Sequence, residues 1–183
     1  MHIHFGQTFN GNRSLTLPDS LGQQVLGPAG LLNLLETHLG LLVLLPTQSE
    51  RIVQFRNVLN VCKEHTFYHK SFELDELGTA RTLLQWRDTW YLHGWQGNFD
   101  PGVSEQLATM AEVEASAVTT VAGCEGQRLQ AVLQMLEGGS IVPIRQISLY
   151  DEMESFPLAW RRVLERLPCK IVQPEPAAKA GSC

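Results

Sequence analysis

The carboxyl-terminal part of the chain carries the pattern that most constrains its fold, because two strand-like segments flank one helical segment. Residues 144–150 and 169–173 have the apolar and β-branched composition of short strands. Between them, Ser155 and Pro157 are typical of a helix start, and apolar residues then recur at helical spacing from Trp160. A strand, a helix and a strand in this order predict a parallel crossover, as in α/β proteins.

The remainder of the chain shows a similar alternation of short apolar runs and helical stripes. Strands are predicted at residues 2–9, 41–45 and 66–72, and a turn at residues 10–12 predicts a hairpin after the first of them. Helices are predicted to begin at Gly27, Thr47, Glu73, Ser104 and about Leu129, with stops at Gly40, Gly94 and the Gly138-Gly139 pair. The fold class that follows is α/β, with a mainly parallel sheet flanked by helices.

Length and composition indicate the domain organisation. The chain has 183 residues, of which 44% are hydrophobic and 18% are charged, which is enough to bury one core. Residues 174–183 are rich in Pro and Ala and hold no core-forming side chain. We therefore predict one domain over residues 1–173, followed by a linker or tail over residues 174–183.

Charge and cysteine content argue against several classes of protein. A net charge of −5 with 14 Lys and Arg residues argues against non-specific nucleic-acid binding by this chain alone. Because the sequence has no signal segment and no apolar run of about 20 residues, we expect a cytoplasmic protein without a membrane partner. The four cysteines are scattered without a Cys-x-x-Cys pair, and we expect free thiols.

No complete catalytic motif occurs in the sequence. The loop Gly27-Pro28-Ala29-Gly30 lacks the Lys that a nucleotide-hydrolysing phosphate loop requires, and such a loop is also typical of a turn that starts a helix. The Glu-x-Lys segment of metal-dependent nucleases and the Gly-x-Ser-x-Gly turn of serine hydrolases are absent. We therefore expect this chain to have no catalytic residue, no bound metal and no cofactor.

Two histidine pairs have spacings that metal sites use. His2 and His4 lie on one face of a predicted strand, and His65 and His69 are one helical turn apart. Neither pair has an evident third ligand, so we expect these side chains to form ordinary hydrogen bonds. The acidic residues within 73–76 are expected at the solvated start of a helix, where unpaired amides favour carboxylates.

An aromatic-rich segment is the main candidate for a structural or an interaction cluster. Arg87 and Asp88 are adjacent and point in different directions on a helix, so each should find its ion-pair partner elsewhere. Two interpretations stay open: a polar support beneath an aromatic core, and a surface that binds a partner. The residues of this candidate cluster are Phe67, Tyr68, Ser71, Asp75, Arg81, Trp86, Arg87, Asp88 and Trp95.

Three sequence segments resemble the amino-terminal region of a bacterial PD-(D/E)XK nuclease family related to the B subunit of the AddAB helicase-nuclease. They span about the first half of the chain. They are GPAGLLNLLE at residues 27–36, RIVQFR at residues 51–56, and the run from Phe67 through Ser71-Phe72, Asp75, Ala80-Arg81 and Trp86-Arg87-Asp88 to Gly94-Trp95.

This resemblance implies a helicase-like domain of the nucleotide-binding α/β type that has lost its ATPase function. Gly27, Pro28 and Gly30 would then mark a degenerate phosphate loop, and a nuclease domain would follow far downstream. The implied role is scaffolding or DNA handling in double-strand break repair. DNA would be contacted only within the full-length protein, and a helicase-nuclease subunit would be the partner.

Two other functions remain open. One is a free-standing protein-interaction domain whose exposed Trp and Tyr residues form the partner surface. The other is a small-molecule-binding α/β domain with a pocket at the carboxyl ends of its strands, for which Asp151 is the first candidate residue.

Overall fold

A computed structural model describes residues 1–9, 21–41, 46–64 and 66–174 of the chain. Within these residues the fold is α/β, with a sheet of four parallel strands and seven α-helices, which confirms the predicted class. The strands are β1 (His2–Phe5), β2 (Gln23–Leu26), β3 (Gln146–Leu149) and β4 (Lys170–Val172). The helices are α1 (Pro28–Leu39), α2 (Gln48–Val61), α3 (His69–Leu74), α4 (Glu76–Leu92), α5 (Glu105–Thr120), α6 (Glu125–Glu137) and α7 (Leu158–Arg166).

The chain divides into two compact units. The sheet unit comprises Met1–Leu42 and Ala131–Cys183, and the helical unit comprises Val43–Gln130. Compact units within one chain do not decide whether residues 1–173 form a single folding domain, so that boundary stays a prediction. Residues 175–183 of the predicted linker or tail lie outside the described residues.

Strand β1 lies inside the sheet, whose order is β2-β1-β3-β4. His2 is in register with Gln23 of β2 on one side and with Gln146 of β3 on the other, and both pairings are parallel. β4 pairs in parallel with β3 after α7, which confirms the predicted crossover. The predicted hairpin is wrong at β1, because parallel strands occupy both of its edges. The turn predicted at residues 10–12 lies outside the described part of the chain.

One face of the sheet is apolar and carries the core of the sheet unit. Because side chains alternate along a strand, Ile3 and Phe5 share this face, and both are completely buried. The ring of Phe5 lies 5.3 Å from that of Phe156 and 5.3 Å from that of Trp160 in α7, measured between centroids. These aromatic contacts hold α7 against the sheet.

The core of the helical unit joins α2, α3, α4 and α5. Helix α2 begins with the predicted capping box: Thr47 Oγ1 accepts the Glu50 amide, and the Glu50 carboxylate accepts the Thr47 amide at 2.6 Å. The Thr47 hydroxyl also donates to this carboxylate, at 2.9 Å. The bond from the Thr47 amide and then the bond from its hydroxyl lower the pKa of Glu50. Buried side chains from the four helices then form one cluster, which includes Ile52, Phe55, Leu59, Phe72, Leu84 and Val113.

Residues 66–72 form a turn and the start of α3, so the strand predicted there is wrong. A strand would place Tyr68, Lys70 and Phe72 on one face, because alternate side chains point the same way. In the structure Tyr68 and Phe72 are one helical turn apart and buried, while Lys70 is exposed. The helix therefore buries two aromatic rings without burying a charge. Of the strand predicted at residues 41–45, only the first residue is described.

Candidate functional site

An open groove between α3 and the first part of α4 is the best candidate for a functional site in the helical unit. Its volume is about 530 Å³. Residues of the candidate cluster that line it are Phe67, Tyr68, Ser71, Asp75 and Trp86. The other lining residues are Leu74, Gly78, Thr79, Thr82 and Leu83. We call this cavity the α3–α4 groove.

The local sequence explains why the two helices meet here. Asp75 has an extended backbone, with φ −150° and ψ 91°, and it ends α3 and starts α4. Its Oδ1 atom accepts the Gly78 amide at 2.8 Å and so caps α4. Gly78, Thr82 and Trp86 follow Asp75 at intervals of three or four residues and share one side of α4. Small side chains thus form the α4 side of the groove, with Trp86 at its far end.

Two large apolar side chains of the groove remain in contact with solvent. Leu74 is 89% exposed and Trp86 is 45% exposed. Large apolar side chains beside a concave surface are characteristic of sites that bind another protein. The groove therefore has the chemical character of a binding surface.

Tyr68 lies at the base of the groove and supports its structure. The side chain is 2% exposed, and its hydroxyl donates to the Leu59 carbonyl at 3.4 Å. Burial, the largest influence, raises the pKa of this hydroxyl to about 12. The hydroxyl is therefore neutral at physiological pH, and Tyr68 does not contribute a charge to the groove.

Arg87 and Asp88 belong to an ion-pair network that joins α2, α4 and α5. As predicted, neither residue relies on the other as its main partner. Arg51 binds the Asp88 carboxylate through two nitrogens, at 2.7 and 2.8 Å. Arg87 Nη2 donates to Glu114 Oε1 at 2.7 Å, and the Tyr91 hydroxyl donates to the same oxygen at 2.8 Å. Arg87 Nη1 lies 3.8 Å from Asp88 Oδ1, which links the two pairs.

The environment of this network shifts the pKa values of Arg87, Tyr91 and Cys124. Burial opposes the charge of Arg87, but the hydrogen bonds and the charge of Glu114 outweigh it, so the pKa of Arg87 is raised. Burial and then Glu114 raise the pKa of Tyr91. Burial and then Asp88 raise the pKa of the Cys124 thiol to about 11, so the reactive thiolate is rare at neutral pH. The network has the properties of a structural support.

Sequence reasoning did not identify Arg51, Glu114 or Tyr91 as members of the network. The signal for Glu114 is its position on α5, where Met110, Val113, Glu114 and Ala117 are the buried residues. A carboxylate at a core position of a helix requires a buried cation or several donors. Helical spacing could therefore have indicated Glu114, but not which cation it binds.

Arg81 and Trp95, the remaining residues of the candidate cluster, do not line the groove. Arg81 is exposed on α4. Trp95 packs against Trp90 and Phe99, with centroid distances of 5.4 and 5.0 Å. The candidate cluster thus separates into the α3–α4 groove, the ion-pair network, an exposed Arg81 and an aromatic cluster formed by Trp90, Trp95 and Phe99.

Gly27 alone connects β2 to α1, and residues 28–30 form the first turn of the helix. Gly27 is the N-cap, Pro28 begins the helix, and the Leu31 amide donates to the Gly27 carbonyl at 2.9 Å. A β-carbon on Gly30 would lie 3.1 Å from Leu26 Cδ2, so glycine allows the first turn of α1 to pack closely on the end of β2. The segment Gly27 to Gly30 therefore starts a helix, and its interpretation as a degenerate phosphate loop stays a prediction.

The second face of the sheet carries polar side chains. His2 Nε2 lies 2.8 Å from Ser148 Oγ, and His4 contacts the Tyr150 hydroxyl and Gln23 Oε1, each at 3.1 Å. Burial, then His4 and the chain amino group, lower the pKa of His2. These hydrogen bonds agree with the sequence expectation for His2 and His4, whereas His65 is not described. Within the described residues, no three His, Cys, Asp or Glu side chains converge as a metal site.

Asp151 connects the segments that follow β1 and β3. Its Oδ2 atom accepts the Gln7 amide at 2.7 Å, and Gln7 Nε2 donates to Ser155 Oγ at 2.8 Å. The Asp151 carboxylate, which was the candidate for small-molecule binding, therefore connects the ends of β1 and β3.

Comparisons with known proteins do not assign this chain to a family. No family model matches it, and no curated protein matches its sequence. No helix in the part of the chain that the structure describes combines the length and apolar character needed to cross a bilayer.

Proposed function

We propose that this chain is a non-catalytic, helicase-like amino-terminal module of an AddB-like exonuclease, with a role in scaffolding or DNA handling during double-strand break repair. The observation that carries the proposal is the segment Gly27 to Gly30, which contains the connection from a parallel strand to a helix and the first turn of that helix. A phosphate loop likewise lies between a strand and the helix that follows it, and a working one carries a Lys, whereas no Lys follows Gly30 here. A sheet that keeps this connection without the phosphate-binding Lys fits an inactivated relative.

The buried charges support a holding role. Arg51 with Asp88, and Arg87 with Glu114, satisfy one another inside the helical unit. Charged groups that are paired with each other in this way stabilise a particular packing of helices. In this proposal the protein is cytoplasmic, contacts DNA only as part of a longer protein, and has a helicase-nuclease subunit as its partner.

The test is the gene region that encodes the chain. We expect the reading frame to continue into a segment with an Asp followed by Glu-x-Lys, the metal-binding pattern of these nucleases. In the full-length protein, replacing that Asp by Ala should abolish DNA degradation while complex formation with the partner subunit persists. A reading frame without such a segment would contradict the proposal.

The α3–α4 groove favours a second candidate, a protein-interaction domain. Leu74 is almost fully exposed although it borders a concave surface with apolar walls. This candidate requires that variants of the groove lose binding while their fold is unchanged. It does not depend on the exonuclease assignment.

A further inference from the structure

We infer that the α3–α4 groove binds an amphipathic helix of a partner protein, which places a Lys or Arg side chain beside Asp75. The inference rests on the interaction role proposed above and names the chemistry of the partner. It is independent of the exonuclease assignment.

The walls of the groove require apolar side chains from the partner. Phe67, Leu74, Leu83 and Trp86 line it, and the exposed surface of Leu74 and Trp86 would leave water when the groove is filled. Burial of apolar surface is a main favourable contribution to protein association, so we expect these two side chains to supply most of the affinity. The partner must therefore present several apolar anchors.

The shape of the groove favours a helix over an extended peptide. It runs beside α4 from Asp75 to Trp86, a distance of about 16 Å at the rise of an α-helix, which equals three turns of a partner helix. Gly78, Thr79 and Thr82 are small and allow a helix backbone to approach closely. The lining belongs largely to helices, whose backbone groups are already paired, so an extended peptide would find few partners for its own amides.

The charge of the groove indicates which polar residue the partner helix should carry. Asp75 is the single charged residue among those that line the groove. One oxygen, Oδ1, accepts the Gly78 amide, and Oδ2 accepts no hydrogen bond from the described residues. An acidic helix would meet this carboxylate with like charge, whereas a Lys or Arg would bind it in a partly apolar setting.

The experiment uses the full chain and a displayed library of helical peptides of about 18 residues, randomised along one face. We expect selection to enrich large apolar residues at helical spacing, together with Lys or Arg near one end of the face. Binding of a synthetic selected peptide is then measured by fluorescence anisotropy. Leu74→Gln should raise its Kd by about tenfold, because it removes an apolar anchor. Leu74 is largely solvated, so this change should leave the melting temperature unaltered.

The chain offers a matched control and a test of the charge. Leu77 is 52% exposed on α4 but does not line the groove, so Leu77→Gln should keep the Kd within about twofold. Asp75→Asn keeps a side chain that caps α4. It should weaken the Lys- or Arg-bearing peptide by about fivefold and leave a Gln-substituted version of that peptide unaffected, as a double-mutant cycle requires.

The possible outcomes distinguish the inferred partner helix, the interaction role of the groove and the exonuclease proposal. If no selected peptide is sensitive to Leu74→Gln, both the inference and the interaction role are wrong, while the exonuclease proposal is still judged by its own gene-region test. If groove-dependent peptides carry Asp or Glu in place of the cation, the inferred partner chemistry is wrong and the interaction role stands. If sedimentation shows a dimer that Leu74→Gln dissociates, a second copy of the chain fills the groove and the inferred partner is wrong.

Discussion

Glu114 brings a negative charge into the interior of the helical unit, where it is 3% exposed beside a fully buried Arg87. Burying two ions costs hydration, which their mutual attraction and hydrogen bonds offset while both members are present. Two guanidinium nitrogens and one tyrosine hydroxyl converge on the carboxylate, so its oxygens are well satisfied. The pair is consequently sensitive to the loss of either member.

We expect Glu114→Gln to lower the free energy of unfolding by about 3 kcal/mol, because the buried Arg87 guanidinium loses its main counter-ion and keeps only the more distant Asp88 carboxylate, at 3.8 Å. Urea denaturation followed by circular dichroism measures the change. The matched control is Glu76→Gln, which removes the partner of Arg56 in a pair whose side chains are 38% and 42% exposed. That variant should differ from the wild type by less than about 1 kcal/mol. Equal losses in the two variants would contradict the assigned role of Glu114.

His2 predicts a pH dependence of stability. Its pKa is lowered in the folded state from 6.5, first by burial and then by His4 and the chain amino group. Between the two pKa values the unfolded chain binds more protons, so this stabilising contribution is complete above about pH 6.5 and is lost as the pH falls through the folded-state pKa. Urea denaturation from pH 7.5 to pH 5 should show a shallower decline for His2→Gln than for the wild type. Identical declines would show that His2 does not contribute.

At the scale of elements, Gly126 shows how closely two helices approach. It is the second residue of α6, and a β-carbon there would lie 2.5 Å from the Tyr91 carbonyl carbon and 2.6 Å from the Leu92 amide nitrogen of α4. Backbone atoms cannot move aside as the end of a side chain can. The absence of a side chain at Gly126 therefore allows the start of α6 to approach the end of α4 closely.

We expect Gly126→Ala to lower the free energy of unfolding by about 2 kcal/mol, since the strain of overpacking exceeds the gain in helix propensity. Gly123→Ala is the matched control, because the nearest atoms to its added β-carbon lie at 3.8 Å. The control should stay within about 0.5 kcal/mol of the wild type. Differential scanning calorimetry of the two variants measures both changes in stability. A Gly126→Ala variant as stable as the wild type would contradict the close approach of α6 to α4 at this residue.

Local sequence signals predicted elements well where the deciding interactions are local. The capping box at Thr47 and the helix stop at Gly40, whose φ is 71°, involve residues within one turn of each other. The strand predicted at residues 66–72 was wrong because a strand would bury Lys70 together with Tyr68 and Phe72. A helix buries the two rings and leaves Lys70 in water. The groove could be predicted only in part. Its aromatic residues were identified from the sequence. Gly78 and Thr82 were not, because they line the groove only as a result of the packing of α3 against α4.

At the scale of the whole molecule, net charge gives a prediction for nucleic acids. With a net charge of −5, the chain should bind a fluorescent single-stranded oligonucleotide weakly or not at all, even at about 50 mM salt. Fluorescence anisotropy across a salt series measures this, with a basic single-strand-binding protein as the positive control. Tight binding that weakens steeply with salt would reveal a basic surface that the overall charge conceals, and would contradict the expectation.

The strand order and the division into two units could not be predicted from the sequence. A parallel crossover is a property of neighbouring segments, so residues 144–173 were sufficient to predict it. The position of β1 between β2 and β3 depends on pairings between distant segments, for which a periodic pattern carries no information. The α/β class is therefore readable from the sequence, while its topology is not.

The interior position of β1 also determines when the sheet can form. His2 and Ser148, which share a hydrogen bond, are 146 residues apart along the chain. During synthesis β1 leaves the ribosome before β3 has been translated, so one of its edges stays unpaired until nearly the whole described chain has emerged. The helical unit, whose contacts are closer in sequence, can assemble meanwhile. An unpaired interior strand is a natural binding site for a chaperone, and the nascent chain should need such protection until β3 arrives.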